Sequence, residues 1–299
     1  MKALMMALFL PVMTAPALAF DDDSRDDTRS PVEIQTICAS GRTVTDSADV
    51  KTSCEGDTVY VNRRNTGLFK NETRLNRQPI LDFKVARDGR VYYRTKIGPY
   101  LFDEQGLLAS HQGSVPLYLV SSSGDVVYLN SEGEIFKNGR ELERDAGRVP
   151  LVLNKFRGDG RTVPLPLNPV VSPNGRAIYQ NDTGFLYVDG ERLNPKVTRV
   201  RRFLVNSTGD VYYLDDADRL YRNRKKLFDG RFRVIDVQLS PTGQVAYLTD
   251  QTANNLFFED RVLSAGSRRV VSFSFNTAGE VLYQDSLGRL WMDGRQLTR

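Results

Sequence analysis

Val271–Leu297 reads VSFSFNTAGEVLYQDSLGRLWMDGRQL. Phe273 and Phe275 alternate with polar residues, as do Val281 and Tyr283, and Asn276-Thr277-Ala278-Gly279 joins the two runs. An apolar Leu290-Trp291-Met292 run and an Asp293-Gly294 pair follow. Period-two alternation is the pattern of strands rather than helices, and Asp-Gly supplies the positive φ that a tight hairpin needs. The stretch is therefore a small antiparallel sheet of three or four strands. Such a sheet has two faces to bury and cannot stand alone.

The rest of the chain repeats it. A glycine, a polar residue, a small or β-branched residue, any residue and a tyrosine recur as GDTVY, GRVYY, GDVVY, GRAIY, GDVYY, GQVAY and GEVLY, ending at Tyr60, Tyr93, Tyr128, Tyr179, Tyr213, Tyr247 and Tyr283. Successive tyrosines are 33, 35, 51, 34, 34 and 36 residues apart. Copies close on similar tails, such as IFKNGREL, LYVDGERL and LWMDGRQL. All-strand repeats of this length mean a solenoid or a propeller.

Four strands fit each repeat. Strand a precedes the glycine turn (Leu81–Ala86, Leu117–Ser121, Arg202–Val205, Val237–Ser240), b carries the tyrosine, c the Leu-aromatic pair, and d follows an Asn-Gly or Asp-Gly turn. Radial closure hides sheet faces and leaves only short edges, whereas a solenoid needs polar terminal repeats. The seventh copy is as apolar as the others. The expectation is an all-β chain, a seven-bladed β-propeller of four-stranded antiparallel blades, with the repeats in 49–299. Because the sequence stops at Gln296-Leu297-Thr298-Arg299, part of Glu33–Thr45 is expected to complete the last sheet.

Ser172-Pro173-Asn174-Gly175 before AIYQND, and Ser240-Pro241-Thr242-Gly243 before VAYLTD, resemble the Ser-Pro-Asp-Gly turn and strand of the WD40-like propeller repeats of TolB-type periplasmic proteins. The resemblance covers the seven blades and no second domain. It implies a disc with a central channel and a protein-binding face.

The first nineteen residues, MKALMMALFLPVMTAPALA, have a lysine, a short apolar run and a small-x-small ending at Ala17-Leu18-Ala19. That is the pattern of a secretory signal cleaved before Phe20, and the apolar run is too short and too broken by Pro11 and Pro16 to span a bilayer. A periplasmic or secreted location follows as an expectation. Residues 20–30, FDDDSRDDTRS, read as a disordered acidic leader and 31–48 as the closing segment of a single domain, 31–299. Two cysteines in an exported chain suggest one disulfide, Cys38 to Cys54. The formal charge of +4 is too small to define a partner, and an exported protein has no routine access to nucleic acid.

Chemistry is sparsely coded. A Ser-His-Asp arrangement would need the lone histidine, His111, whose neighbours Ser110, Gln112 and Gly113 read as a loop. Asp215-Asp216-Ala217-Asp218 lacks the glycine and distal glutamate of a calcium loop, and aspartates there are more simply turn formers. No catalytic residue, metal or cofactor is assigned. Two departures from the repeat stand out. Glu143–Pro166 is an insertion with an apolar Val149–Leu153 run, suited to packing on the disc or to a partner. Leu220–Lys226 gives blade five a basic outer part, suited to blocking edge pairing or to an anionic contact.

The expected function is a non-enzymatic, monomeric scaffold that binds an envelope or extracellular protein. The alternatives are a propeller enzyme of lyase, lactonase or glycosidase type using channel carboxylates and arginines, and a lectin. The lectin is disfavoured because its sites would repeat, and the b–c loops differ from blade to blade. In a four-stranded blade the b–c loops and d-to-a connections share one face. Lys155, Phe156 and Arg157 of the insertion, with Arg63, Arg64 and Asp216, are therefore the expected contact residues.

Overall fold

The computed structural model describes residues 34–37, 43–46, 49–62, 64–108, 113–142, 148–149, 154–156, 162–164, 169–194, 198–227, 232–250, 255–259, 261–264 and 269–297. His111, Arg63, Arg157, Cys38, the leader and the first nineteen residues lie outside them. Among the described residues there is no helix, and none long and apolar enough to cross a membrane. Seven antiparallel units follow one another in the order a-b-c-d, and the chain is a seven-bladed β-propeller. Blade one comprises the third to sixth strands of the chain, Val50–Thr52, Thr58–Val61, Leu68–Lys70 and Thr73–Arg74. The inner strands of the fifth, sixth and seventh blades are Val200–Val205, Val234–Leu239 and Val270–Phe275.

One set of local devices recurs from blade to blade, blade two departing from it with Ala86 at its a–b turn and Glu104 at its c–d turn. At the c–d turn of blades one, three, four, five and seven an Asn or Asp takes positive φ, as at Asp189 (50°) before Gly190 (88°), and in blade six Glu259 does (50°). Its side chain accepts the N–H that starts strand b, as in Ala177 N to Asp189 Oδ1 (2.9 Å) and Val281 N to Asp293 Oδ1 (2.9 Å). At the a–b turn a Ser or Asn accepts an N–H four residues on, as Ser172 does from Arg176 (2.9 Å) and Asn206 from Asp210 (2.8 Å). The Ser of the Ser-Pro-Asn-Gly turn thus replaces a ladder bond that the reversing chain lacks.

Packing then joins the blades. Each repeat tyrosine stacks on the aromatic residue of its own strand c, with ring centroids 4.9 to 6.0 Å apart in the seven blades. Six buried clusters link consecutive blades, for example Ile178, Leu186 and Val188 of blade four with Phe203, Val211 and Tyr213 of blade five. The faces of blades seven and one are more open. Leu290 is 46% exposed where Leu101, Leu186, Leu220 and Leu256 are fully buried, and Val50 is 38% exposed where Phe83 and Phe203 are buried.

Three expectations are corrected. The N-terminal segment does not complete the last blade. Its strands β1 (Ile34–Ile37) and β2 (Thr43–Asp46) form a hairpin that pairs with the inner strand of blade one, Asp46 opposite Lys51. The last blade supplies its own outer strand, Arg295–Gln296, as short as the d strands of the other blades. Inner strands also begin earlier than alternation implies, at Ile80, Val200 and Val234. The register skips one residue after each of these, at Leu81, Arg201 and Ile235, and again at Val271. A bulge there breaks the period-two pattern.

The third correction concerns the insertion. Val149 is buried between blades three and four. It donates to Gly133 O (2.9 Å), as Val200 does to Gly184 O (2.8 Å). The blade has therefore resumed at Arg148, and the extra chain leaves after Val149, where the other blades bulge, rather than in the d-to-a connection. It returns at Val170–Val171 and contains an antiparallel pair, Asn154–Phe156 with Thr162–Pro164.

Candidate functional site

The face formed by the b–c turns and the starts of the inner strands is built from two fixed parts. The turns are held by a buried Asn or Asp at the end of strand b. Asp215 Oδ1 accepts the N–H groups of Ala217 (3.0 Å) and Arg219 (2.9 Å), and Asp285 does the same for Leu287 and Arg289 (both 3.0 Å). Asn130 and Asn181 take the equivalent bonds in blades three and four. Each inner-strand start is pinned to the b–c turn of its own blade, while the valine that follows donates across the junction to the preceding blade's turn, Val149 to Gly133 O, Val200 to Gly184 O and Val234 to Asp218 O. Arg148, Arg199, Arg233 and Arg269, each just before a buried valine, accept the N–H of Asp182, Asp216, Asp250 and Ser286 (all 2.9 Å). This Arg-Val pair in four consecutive blades is a signal that alternation alone passes over.

On that frame the face presents apolar side chains. Of twelve exposed large hydrophobic residues among those described, seven stand here: Leu81, Ile97, Tyr100, Phe232, Ile235, Val271 and Leu287. The rest lie on the open terminal faces or on outer strands, and among the described residues none lies on the a–b and c–d turns of the opposite face. The apolar seven are outward tips of turns and bulges, so their exposure follows from backbone geometry rather than from a gap in the core.

The expected contact residues fall as follows. Arg64 is exposed in the b–c loop of blade one and Asp216 in that of blade five, on the same face but in different blades. Lys155 and Phe156 sit opposite Val163 and Thr162 in the insertion hairpin. Asp215-Asp216-Ala217-Asp218 is a turn. Asp215 is held by the Arg219 guanidinium (2.7 Å), Asp218 pairs with Arg201, and among the described residues no three metal-ligating side chains converge. Of the four cations on the basic edge of blade five, Arg222 pairs with Asp210 (2.6 Å) and Arg224, on the surface, with Glu191 (3.4 Å). Two open pockets, of about 330 and 400 Å³, lie at the blade edges near Arg74–Gln78 and near Arg176 and Arg224.

Asp285 carries a pH signature. Burial works to raise its pKa, but bonds from the backbone N–H groups of Arg289 and Leu287, the Trp291 indole and the Arg289 side chain outweigh it and hold the carboxyl below its ordinary value. Asp210 is lowered in the same way, burial being outweighed chiefly by Asn223 and Arg222. A depressed folded-state pKa adds stability above the unfolded value, near 4, that is lost as pH falls through the folded value. Urea midpoints are therefore expected to fall with acidification below about pH 4, and less steeply in Asp285→Asn. An unchanged slope in that variant would refute the assignment.

No protein-family model matches the chain, nor does any curated protein. Solved structures match in fold at low identity. Virginiamycin B lyase from Staphylococcus aureus is 9% identical over 82% of this chain and 93% of its own, with a TM-score of 0.27. YCF48 from Cyanidioschyzon merolae is 13% identical over 82% and 94%, with a TM-score of 0.32. The extracellular domain of the putative hybrid two-component system BT4673 from B. thetaiotaomicron is 10% identical over 90% of this chain, which spans about half of that one (51%), with a TM-score of 0.32. The matched proteins thus include an enzyme and the extracellular part of a putative signalling system.

Proposed function

We propose that the chain is an exported, non-enzymatic scaffold that binds a protein partner through its b–c face. The observation that carries this reading is the segregation of exposed apolar side chains to that face. Apolar tips set among arginines are the composition of interface anchors, and irregular loops on a rigid frame are where binding residues concentrate. Lys155, Phe156, Arg157, Arg63, Arg64 and Asp216 remain the proposed contacts, with Ile235, Val271 and Leu287 now added. The first nineteen residues act as a cleaved signal and deliver the protein to the periplasm or beyond, where it works as a monomer. The Cys38–Cys54 bridge belongs to the same reading. β1 ends at Ile37 on the a–b end of its sheet, the end at which Cys54 stands.

The test is crosslinking of the purified protein to an envelope extract, comparing the native chain with Ile235→Asp/Val271→Asp and with Phe156→Ala/Arg157→Ala. Loss of one defined crosslinked partner in both variants, with unchanged melting, is expected. A partner retained in both, or crosslinked only through the a–b turns, would overturn the placement.

A further inference from the structure

The pocket of about 330 Å³ between the edges of blades one and two has a cause in the sequence. In each blade a leucine ends the outer strand by donating its N–H to the first carbonyl of strand c. Leu75 does so to Leu68 (2.8 Å), Leu193 to Leu186 (2.7 Å) and Leu263 to Leu256 (2.9 Å). From that leucine the chain needs seven steps to the next buried inner-strand residue, as from Leu193 to Val200, Leu227 to Val234 and Leu263 to Val270. From Leu75 to Ile80 it takes five. The connection after blade one is thus two residues short, and it leaves an opening over Tyr93 and Phe102 of blade two.

The short connection is held in place. Arg74 Nε donates to Asn76 O (3.0 Å) and Nη2 to Thr66 O (2.8 Å), which ties this wall to the b–c loop of blade one. Gly67 permits the close approach, since a Cβ there would stand 2.7 Å from Asn76 O.

The pocket is cationic on one side and aromatic on the other. Arg74 and Arg77 are exposed, and among the described residues neither forms an ion pair and no carboxylate lines the pocket. In the pocket between blades four and five, by contrast, Arg224 is answered by Glu191. Tyr93 is 4% exposed, and among the described residues its hydroxyl has no hydrogen-bond partner. The equivalent hydroxyl of Tyr283 donates to Leu263 O (3.2 Å). Burial, with the Asp103 charge adding to it, pushes the Tyr93 pKa up, so the hydroxyl keeps its proton and stays a donor. Asp103 itself accepts the N–H groups of Gln105 (2.8 Å) and Gly106 (3.0 Å).

We propose that this pocket binds an organic carboxylate with a flat apolar body. The carboxylate meets the Arg77 guanidinium, Nη1 of Arg74 and the Tyr93 hydroxyl, and the body lies on Phe102. Guanidinium groups match carboxylate geometry, and a mostly apolar wall with a few convergent polar groups is how small-molecule sites are built. Inorganic phosphate would answer the cations but leave the aromatic wall bare. The same chemistry is presented by a free aromatic acid and by a chain ending in an aromatic residue. The site rests on its own geometry and not on the apolar tips of the b–c face.

Isothermal titration calorimetry of the purified protein with N-acetyl-phenylalanine, its amide and inorganic phosphate tests this. The acid is expected to bind, and the amide about 10-fold more weakly or worse, as the loss of charged hydrogen bonds implies. Tyr93→Phe should weaken the acid about 10-fold and leave the melting temperature unchanged, because no bond within the protein is lost. A purely structural tyrosine would show the opposite pattern. Arg77→Gln should weaken the acid similarly, with Arg77→Lys in between. No binding of the acid, equal binding of acid and amide, phosphate binding as tightly as the acid, or native affinity in Tyr93→Phe each overturns the proposal. A pentapeptide ending in phenylalanine separates the two sources. Binding tighter than that of the acid supports a chain terminus as the ligand, and weaker binding supports the free acid.

Discussion

Tyr213→Ala is expected to reduce unfolding free energy by about 3–5 kcal/mol, the loss typical of a buried aromatic and the cavity it leaves. Tyr213 is 1% exposed, stacks on Tyr221 at 4.9 Å and packs against Ile178, Leu186 and Val188 of the preceding blade. One truncation therefore removes a stack within a blade and a plug between two blades. Among the described residues the hydroxyl meets no hydrogen-bond partner, and burial pushes its pKa up. Tyr213→Phe should consequently change stability by less than about 1 kcal/mol. Urea unfolding of both variants is the measurement, and a neutral alanine variant would show that blades four and five do not share this core.

Asp215→Ala should cost about 3 kcal/mol, because it strands two turn N–H groups and the partner of a fully buried carboxylate. The buried oxygen Oδ2 also takes the Arg219 guanidinium, and the Tyr221 hydroxyl lies 3.4 Å away. Asp215→Asn should be mild, about 1 kcal/mol, since Asn130 and Asn181 perform the turn-holding task in blades three and four. Thermal melts of the pair separate turn-holding from charge. Equal losses in the two variants would mean that the ion pair, not the turn, is what matters.

The fold was legible because its signals are local and repeated. A glycine turn and a tyrosine on strand b recur in all seven copies and an Asn-Gly or Asp-Gly turn in three of them, and each has a direct physical role in the structure. The starts of the inner strands were less legible. Leu81, Arg201, Ile235 and Val271 break the alternation that locates a strand, so the reading began too late by up to three residues, as at Val234 against Val237. The fate of Glu33–Thr45 was illegible because two-stranded alternation carries no address. The same hairpin fits any exposed edge, and pairing with blade one needed only the adjacent edge of its inner strand. Of the candidate site, Asp216 and Arg64 could be placed in b–c loops from blade topology. The apolar tips could not, since an isolated Ile235 or Leu287 in a strand repeat reads as core until its exposure is known.

The skipped residue on the inner strands has a consequence for how such a chain can change. Elsewhere in a blade the ladder counts residues, and adding one turns a buried face outward. At the bulge the count is already off by one, so length there is unregistered. Blade four has used this freedom, leaving after Val149 and rejoining at Val170 without disturbing the pairing of Val170 with Ile178. Blades two, five, six and seven hold the same splice point at Leu81, Arg201, Ile235 and Val271. New sequence gained at any of them arrives at one rim of the disc, so the molecule can acquire specificity on that rim while its opposite rim stays bound to the arithmetic of the fold.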